Sequence, residues 1–208
     1  MLTLAINTAS SFTAIALLDS QKLLSENSWK GENDEAEKLM PAIDTLLKEH
    51  DKTYEDIERV ISIKGPGSFT GLRVGITVAN TISYLTGCEL LAIDTFEYWW
   101  STKSDPETAL LIFAGKKGVY VSFPEEAPET INLDELNNYL AEKNIKKAFG
   151  EILNEQKEVL DIPFEESEES FGEVIAKIPS EKFTKESIIK PNYIKPPSIT
   201  ISTKKLTD

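Results

Sequence analysis

The first hundred residues alternate between short apolar runs and polar breaks. Leu2–Ile6 is apolar and ends in the polar stretch Asn7-Thr8-Ala9-Ser10-Ser11. Phe12–Leu18 follows and ends at Asp19-Ser20, and Lys22–Trp29 then alternates. Short runs bounded by turn residues predict three strands joined as an antiparallel meander. From Asp34 to Glu49 the period changes: Leu39, Met40, Ile43, Leu46 and Leu47 recur at helical spacing. Asn33 or Asp34 is the expected cap, Asp34, Glu35 and Glu37 suit the positive start, and Pro41 predicts a kink or a later start. Val60–Lys64 reads as a fourth strand, Leu72–Leu85 as a second helix closed by Gly87, and Glu89–Ile93 as a fifth strand. Asp94 or Thr95 caps a third helix over Phe96–Trp100. The expected order is β-β-β-α-β-α-β-α.

The pattern weakens after the polar break Ser101–Pro106. Ala109–Ala114 and Val119–Phe123 predict a hairpin around Gly115-Lys116-Lys117-Gly118. Leu133–Lys143 predicts a helix capped by Asn132, and Lys147–Gly150 a short strand. Residues 151–173 carry nine acids and one lysine, which predicts that part of the stretch is a solvated face or loop. Seven lysines against three acids follow from Lys177 to Asp208, and the prolines between Pro191 and Ser198 predict irregular chain. No internal repeat is visible. The expected division is 1–103 for a regular N-terminal lobe and 104–208 for a reduced C-terminal lobe and tail.

Composition narrows the chemistry. A formal net charge of −13 argues against a stand-alone nucleic-acid binder. One cysteine, Cys88, and one histidine, His50, exclude a disulfide framework and a cysteine- or histidine-rich metal centre. The start lacks a signal-peptide pattern and no run reaches membrane-spanning length, so a cytoplasmic, reduced setting without membrane is expected. Only Arg59 and Arg73 among 22 basic residues are arginine, which draws attention to Arg73.

Arg73 lies within Gly65-Pro66-Gly67-Ser68-Phe69-Thr70-Gly71-Leu72-Arg73-Val74-Gly75. A glycine-rich turn from strand into helix either holds an anion or lets two backbones approach closely. A dinucleotide reading, with Asp94 on the ribose, is countered by the motif's place after the fourth strand and by the antiparallel start. The Gly-Lys-Ser/Thr ending of a phosphate loop is missing. Ser68 adjoins Gly67 and so fails the nucleophile-elbow spacing, with His50 the only histidine to pair with it; Ser68 and Thr70 read as caps. The candidates for nucleotide or anion contact are Asn7, Thr8, Gly65, Gly67, Ser68 and Thr70. Small residues recur at Gly71, Gly75, Ala79 and Ser83, a stripe for close packing within the chain or against another subunit. Leu39, Met40, Ile43 and Leu47 carry the same ambiguity.

The element order resembles the actin/hexokinase/Hsp70-like (ASKHA, ribonuclease H-like) α/β fold with a reduced second lobe. In that setting Gly65–Gly75 resembles the signature of the TsaB (YeaZ) family of tRNA threonylcarbamoyladenosine biosynthesis. Leu2–Ala9, Leu39–Leu47 with its proline, Ile93–Glu97 and Pro191-Asn192-Tyr193-Ile194-Lys195 are similar to further family segments. The likeness is strong over residues 1–100 and thin from 101 to 190. Asn7 stands where that family usually has Asp, Glu35 where it often has His, and Ala114-Gly115-Lys116 replaces an Asp-Ala-Arg hairpin.

The resemblance implies a non-catalytic scaffold with no cofactor of its own, ATP or ADP and metal belonging to its partners. Those partners are a TsaD-like paralogue and a TsaE-like ATPase, with tRNA met only through the complex. The helical pattern itself leaves the state of the chain alone open, a homodimer through the same helices being one option. The implied interface is Leu39, Met40, Ile43, Leu47, Gly71, Arg73, Gly75 and Ala79, so that Gly75→Leu is expected to block pairing and leave the chain folded. The lysine-rich tail reads as solvated, with tRNA contact in the complex as the sharper reading. The alternative from another class is a small nucleotide-binding enzyme or sensor using Gly65–Thr70. The superfamily's old glycoprotease label lacks a metal-histidine pair here.

Overall fold

Two mixed sheets with the same wiring organise the chain. The structure, a computed structural model, describes residues 1–31, 34–103, 105–124 and 126–194. The predicted meander is present: β1 (Leu2–Asn7), β2 (Phe12–Asp19) and β3 (Lys22–Lys30) pair antiparallel in sequence order. α1 (Glu35–Lys48) leads towards β4 (Arg59–Ile63), and α2 (Phe69–Thr86) connects β4 to β5 (Glu89–Ile93). β4 lies parallel to β1 and β5 parallel to β4, the arrangement that helical crossovers permit. β1 is buried along its whole length, which is why it reads as one apolar run.

Pro41 does not delay α1, which begins at Glu35 and keeps the proline inside. Leu39, Ile43, Leu46 and Leu47 are all buried, and burying that face offsets a missing backbone bond. Asp34 takes the N-cap position without a side-chain cap bond, and pairs with Lys38 instead. The other expected cap, Asn33, lies outside the described residues.

α3 (Thr95–Trp100) leads into the second sheet: β6 (Thr108–Phe113), β7 (Gly118–Ser122), β8 (Glu129–Asn132), β9 (Lys147–Glu151) and β10 (Phe164–Glu165). Its order, β10-β9-β6-β7-β8, matches β5-β4-β1-β2-β3, with parallel and antiparallel pairs in the same places. α4 (Leu133–Glu142) occupies the place of α1, and α5 (Asn154–Lys157) that of α2, four residues instead of eighteen. The fold is therefore the actin/hexokinase/Hsp70-like α/β fold with a reduced second lobe. No repeat shows in the sequence because strand order is shared and side chains are not.

Placing all of 104–208 with the second lobe needs correction. α6 (Phe171–Lys177) packs on β2 and β3, and β11 (Thr184–Lys185) pairs antiparallel with β5 as the outer strand of the first sheet. β2 is buried from Thr13 to Leu18, and successive side chains face opposite ways, so both faces of the sheet need a cover. α1 and α6 are both packed against that strand. The acidic stretch 151–173 combines exposed, irregular residues with short elements. It holds α5, β10 and the start of α6; Glu165 pairs with Lys103 and Lys147, Glu166 with Lys157, and Glu169 with Lys177. Among the described residues no helix is long and apolar enough to cross a membrane.

The tightest contact in the first lobe joins the start of α2 to the turn after β1. A Cβ added at Gly67 would fall inside 3.0 Å of Ala9, one at Gly71 inside 3.0 Å of the Thr8 carbonyl, and one at Gly75 inside 3.0 Å of the Thr8 hydroxyl. Gly71→Ala is expected to cost about 3 kcal/mol, an overpacking penalty at the top of its usual range. Thermal melting would register this as a fall of roughly 6–12 °C for a chain of this size. Gly75→Leu is expected to abolish soluble folded monomer, the reverse of a clean interface mutant, and circular dichroism of the isolated chain decides it.

Candidate functional site

The glycine-rich segment begins at the end of β4, and its backbone groups turn inward. Ser68 N–H donates to the Ala9 carbonyl at 2.7 Å, and Gly71 N–H donates to Ser68 Oγ at 3.2 Å as the cap of α2. Thr95 N–H donates to the Gly65 carbonyl at 3.0 Å, and its Oγ1 donates to the Pro66 carbonyl at 2.6 Å. The facing turn is equally occupied. Asn7 Oδ1 accepts from Ala9 N–H at 3.0 Å, and Asn7 Nδ2 donates to Ser10 Oγ at 3.0 Å. Ser11 N–H donates to the Glu151 carboxylate at 2.5 Å, a bond that crosses from one lobe to the other. Ser68 N–H and Gly71 N–H and the Gly65 and Pro66 carbonyls are thus used in contacts within the chain, so the loop works as a packing device.

A cleft of about 470 Å³ opens beside this contact. Its floor is Ala9–Ser11 and Pro66–Phe69, and its far wall is Ile112, Phe113, Glu151, Ile152 and Leu153. Of the six residues expected to meet an anion, Gly67 and Ser68 line this cleft, and Asn7 lines an adjoining one between the lobes. Thr8 is buried against Gly71 and Gly75. Gly65 packs under the Asn192 carbonyl, 2.7 Å from where a Cβ would sit, and Thr70 is exposed on α2. The expected constellation is therefore not brought together. Among the described residues the charged side chains that line the cleft are Glu35 and Glu151, both acidic, which disfavours phosphate. Ser68 meets no histidine, since His50 Nε2 lies 2.7 Å from Ser25 Oγ. Among the described residues no group of three His, Cys, Asp or Glu side chains is placed to hold a metal ion.

The expected interface also changes. Leu39, Ile43 and Leu47 are in the core of the first lobe, and Gly71, Gly75 and Ala79 are buried. Their spacing serves packing inside the chain, so they are withdrawn as partner contacts. Met40 and Arg73 remain on the surface. The outer face of α2 carries Thr70, Arg73, Thr77, Thr81 and Tyr84 at helical spacing, all exposed, with Leu85 beside Tyr84. Tyr84 is 87% and Leu85 74% exposed. Arg73 is the only charged residue in the eighteen of α2.

A C-terminal strap, missed in the sequence, borders this face. The Asn80 amide pairs with the backbone of Ile189, donating at 3.0 Å and accepting at 2.9 Å. Asn192 N–H donates to the Lys64 carbonyl at 2.7 Å, and its side-chain amide donates to Asp94 at 3.0 Å. Tyr193 packs on Phe69 in a tilted arrangement with centroids 4.9 Å apart, and the Arg73 guanidinium lies over the Phe69 ring, 3.9 Å from its centroid. Arg73 Nε donates to the Tyr193 hydroxyl at 3.2 Å. A planar stacked donor explains why arginine and not lysine stands here. The signal available was the Pro191–Tyr193 segment; nothing in its spacing points at α2.

Asp94 is a helix cap, accepting from Phe96 N–H at 2.9 Å, and not a ribose ligand. Burial holds its carboxyl above the usual carboxylate range, against the Phe96 N–H and the Asn192 amide, which pull it down.

The TsaD family model, described as tRNA N6-adenosine threonylcarbamoyltransferase, matches residues 32–186. The tRNA threonylcarbamoyladenosine biosynthesis protein TsaB of Bacillus subtilis (strain 168) is 32% identical over 97 residues, covering 47% of this chain and 42% of that protein. TsaB of Buchnera aphidicola subsp. Baizongia pistaciae (strain Bp) is 28% identical over 122 residues, covering 56% of this chain and 55% of that protein. The chain thus spans about half the length of the curated relatives it matches. Among solved structures, YeaZ from Pseudomonas aeruginosa superposes with a TM-score of 0.66 at 15% identity, over 93% of this chain and 99% of that one, a likeness of fold.

Because the folded chain binds the Asp94 proton more tightly than the unfolded chain, this residue's contribution to stability falls as pH rises through the interval above the usual carboxylate value. Asp94→Asn retains a capping side chain and is expected to remove that fall. Denaturant unfolding between about pH 4 and 7, compared with the parent, checks it; parallel curves would refute it.

Proposed function

Because the chain belongs to the TsaB/YeaZ family, within the wider family described by the TsaD model, we propose that it is the non-catalytic scaffold subunit of tRNA threonylcarbamoyladenosine synthesis. It docks a TsaD-like paralogue through the outer face of α2 and the adjoining surface of α1. A TsaE-like ATPase joins that pair, and tRNA is met through the complex in the cytoplasm. The chain carries no cofactor of its own; nucleotide and metal belong to its partners.

The observation that carries this reading is the outer face of α2. In a chain with 27% charged residues, an eighteen-residue helix with one charge is the exception. Interface centres are poor in charge and rich in Tyr and Arg, the residue types left exposed here as Tyr84 and Arg73. Met40 contributes from α1, 40% exposed. The surface acidity of the whole chain agrees with a subunit that leaves tRNA to others. Against a nucleotide-binding enzyme stand the acidic cleft and the use of Ser68 N–H and Gly71 N–H within the chain.

Tyr84→Ala is expected to weaken pairing with the TsaD-like subunit at least tenfold, and Thr77→Glu to abolish co-purification, both with unchanged melting of the isolated chain. Retained pairing in both variants would overturn the interface. Calorimetry of the isolated chain with ATP and ADP is expected to give no saturable heat, and tight binding would favour the enzyme reading.

A further inference from the structure

The cleft between the lobes has a charge arrangement that scaffolding does not require. Glu35, the first residue of α1, is only 8% exposed, yet its carboxylate has no hydrogen-bond or ion-pair partner among the described residues. It lines the cleft beside Gly31, whose absent Cβ would fall 2.6 Å from Glu35 Oε1. The start of α1 offsets part of the cost of burying a charge there. Its carboxylate has no donor from the described residues and is left to face the cleft. Glu151 stands on the opposite wall and already holds Ser11 N–H with one oxygen. Among the described residues no lysine or arginine lines the cleft.

The remaining wall is apolar: Phe69, Ile112, Phe113, Ile152 and Leu153. Phe113 and Leu153 remain substantially exposed at this opening. The volume of about 470 Å³ lies within the range of small-molecule sites. Two carboxylates set in an apolar, partly aromatic pocket match one ligand chemistry, a cation on an apolar stem.

We propose that this cleft binds an ammonium or guanidinium group carried on an aliphatic chain, with Glu35 as its buried counter-ion. Glu151 adds a second negative charge on the facing wall, and Phe69 and Phe113 line the stem. The same charges repel phosphate, so the cleft is an organic-cation site on a fold whose glycine-rich loop suggests an anion site. This inference stands apart from the docking role, since the cleft and the outer face of α2 are different surfaces.

The cation has two sources, a free amine or a basic side chain of a peptide. Calorimetry of the full chain with agmatine and cadaverine probes the first, and with doubly blocked arginine and lysine (N-acetyl, methylamide) the second. At least one probe is expected to bind saturably, more weakly as salt rises. Glu35→Gln, isosteric and neutral, is expected to lower that affinity at least tenfold without lowering the melting temperature. If Glu35→Gln fails to fold, Phe113→Ala at the exposed wall serves instead, with an expected loss of several-fold. Tighter binding of the free amines assigns the site to a small metabolite, and tighter binding of the blocked amino acids to a peptide. Absence of saturable binding by all four probes, or unchanged affinity in the folded variant, overturns the proposal.

Discussion

The seating of α2 on the turn after β1 is the contact on which the rest depends. Gly67, Gly71 and Gly75 bring helix backbone against Ala9 and Thr8 at separations that no side chain at those positions would permit. Ser68 N–H and the Ala9 carbonyl tie the two turns together. This one contact sets the pitch of α2 over the sheet and so decides which of its residues face water. It also uses two of the loop's donors, Ser68 N–H and Gly71 N–H, inside the chain. The glycine motif thus acts through proximity of backbones, and its anion-holding look is a by-product of needing glycine at a strand-to-helix turn. Placing the small stripe inside leaves Thr70, Arg73, Thr77, Thr81 and Tyr84 outside. The docking surface is defined by what the packing contact left over.

The second lobe keeps the wiring and discards the bulk. Shrinking the helix after β9 to four residues leaves Ile152 and Leu153 at the cleft instead of beneath a long crossover. The chain then returns to the first lobe, where β11 covers the edge of β5 and the strap reaches the start of α2. Covering an edge strand removes a row of unpaired backbone groups. The Asn80 amide holds Ile189 in the same manner, as a side-chain imitation of strand pairing.

Elements 1–100 were legible because each combines a clear period with turn residues at its ends. Of the two outcomes Pro41 suggests, a later helix start fails because burial of Leu39, Ile43 and Leu47 outweighs local propensity. β8, α5, β10, α6 and β11 escaped because they are short, polar or both, and draw their order from neighbours distant in sequence. The stripe Gly71–Gly75–Ala79 was recognised as a close-packing signal, but spacing does not name the neighbour: Thr8 and a partner helix demand the same residues. In the sequence Glu35 reads as an acid suited to a helix start and as a departure from the family's histidine. Its burial comes from Gly31 and the cleft, which no pattern along the chain encodes.

Glu151 gives the clearest account of how this chain departs from phosphate chemistry. On a fold with a turn after β1 facing a glycine-rich loop, the turn's N–H groups are the natural place for a phosphate oxygen. Here the Ser11 N–H is already satisfied by a carboxylate that belongs to the chain itself and comes from the other lobe. That bond has two effects at once. It supplies the anion internally, so the turn no longer calls for one, and it fastens the second lobe to the first. A second carboxylate, Glu35, then makes the cleft repulsive to any further anion. Closing the lobes and reversing the electrostatic preference of the cleft are therefore one structural event. The architecture can be kept for its outer surface while the chemistry between its lobes changes sign.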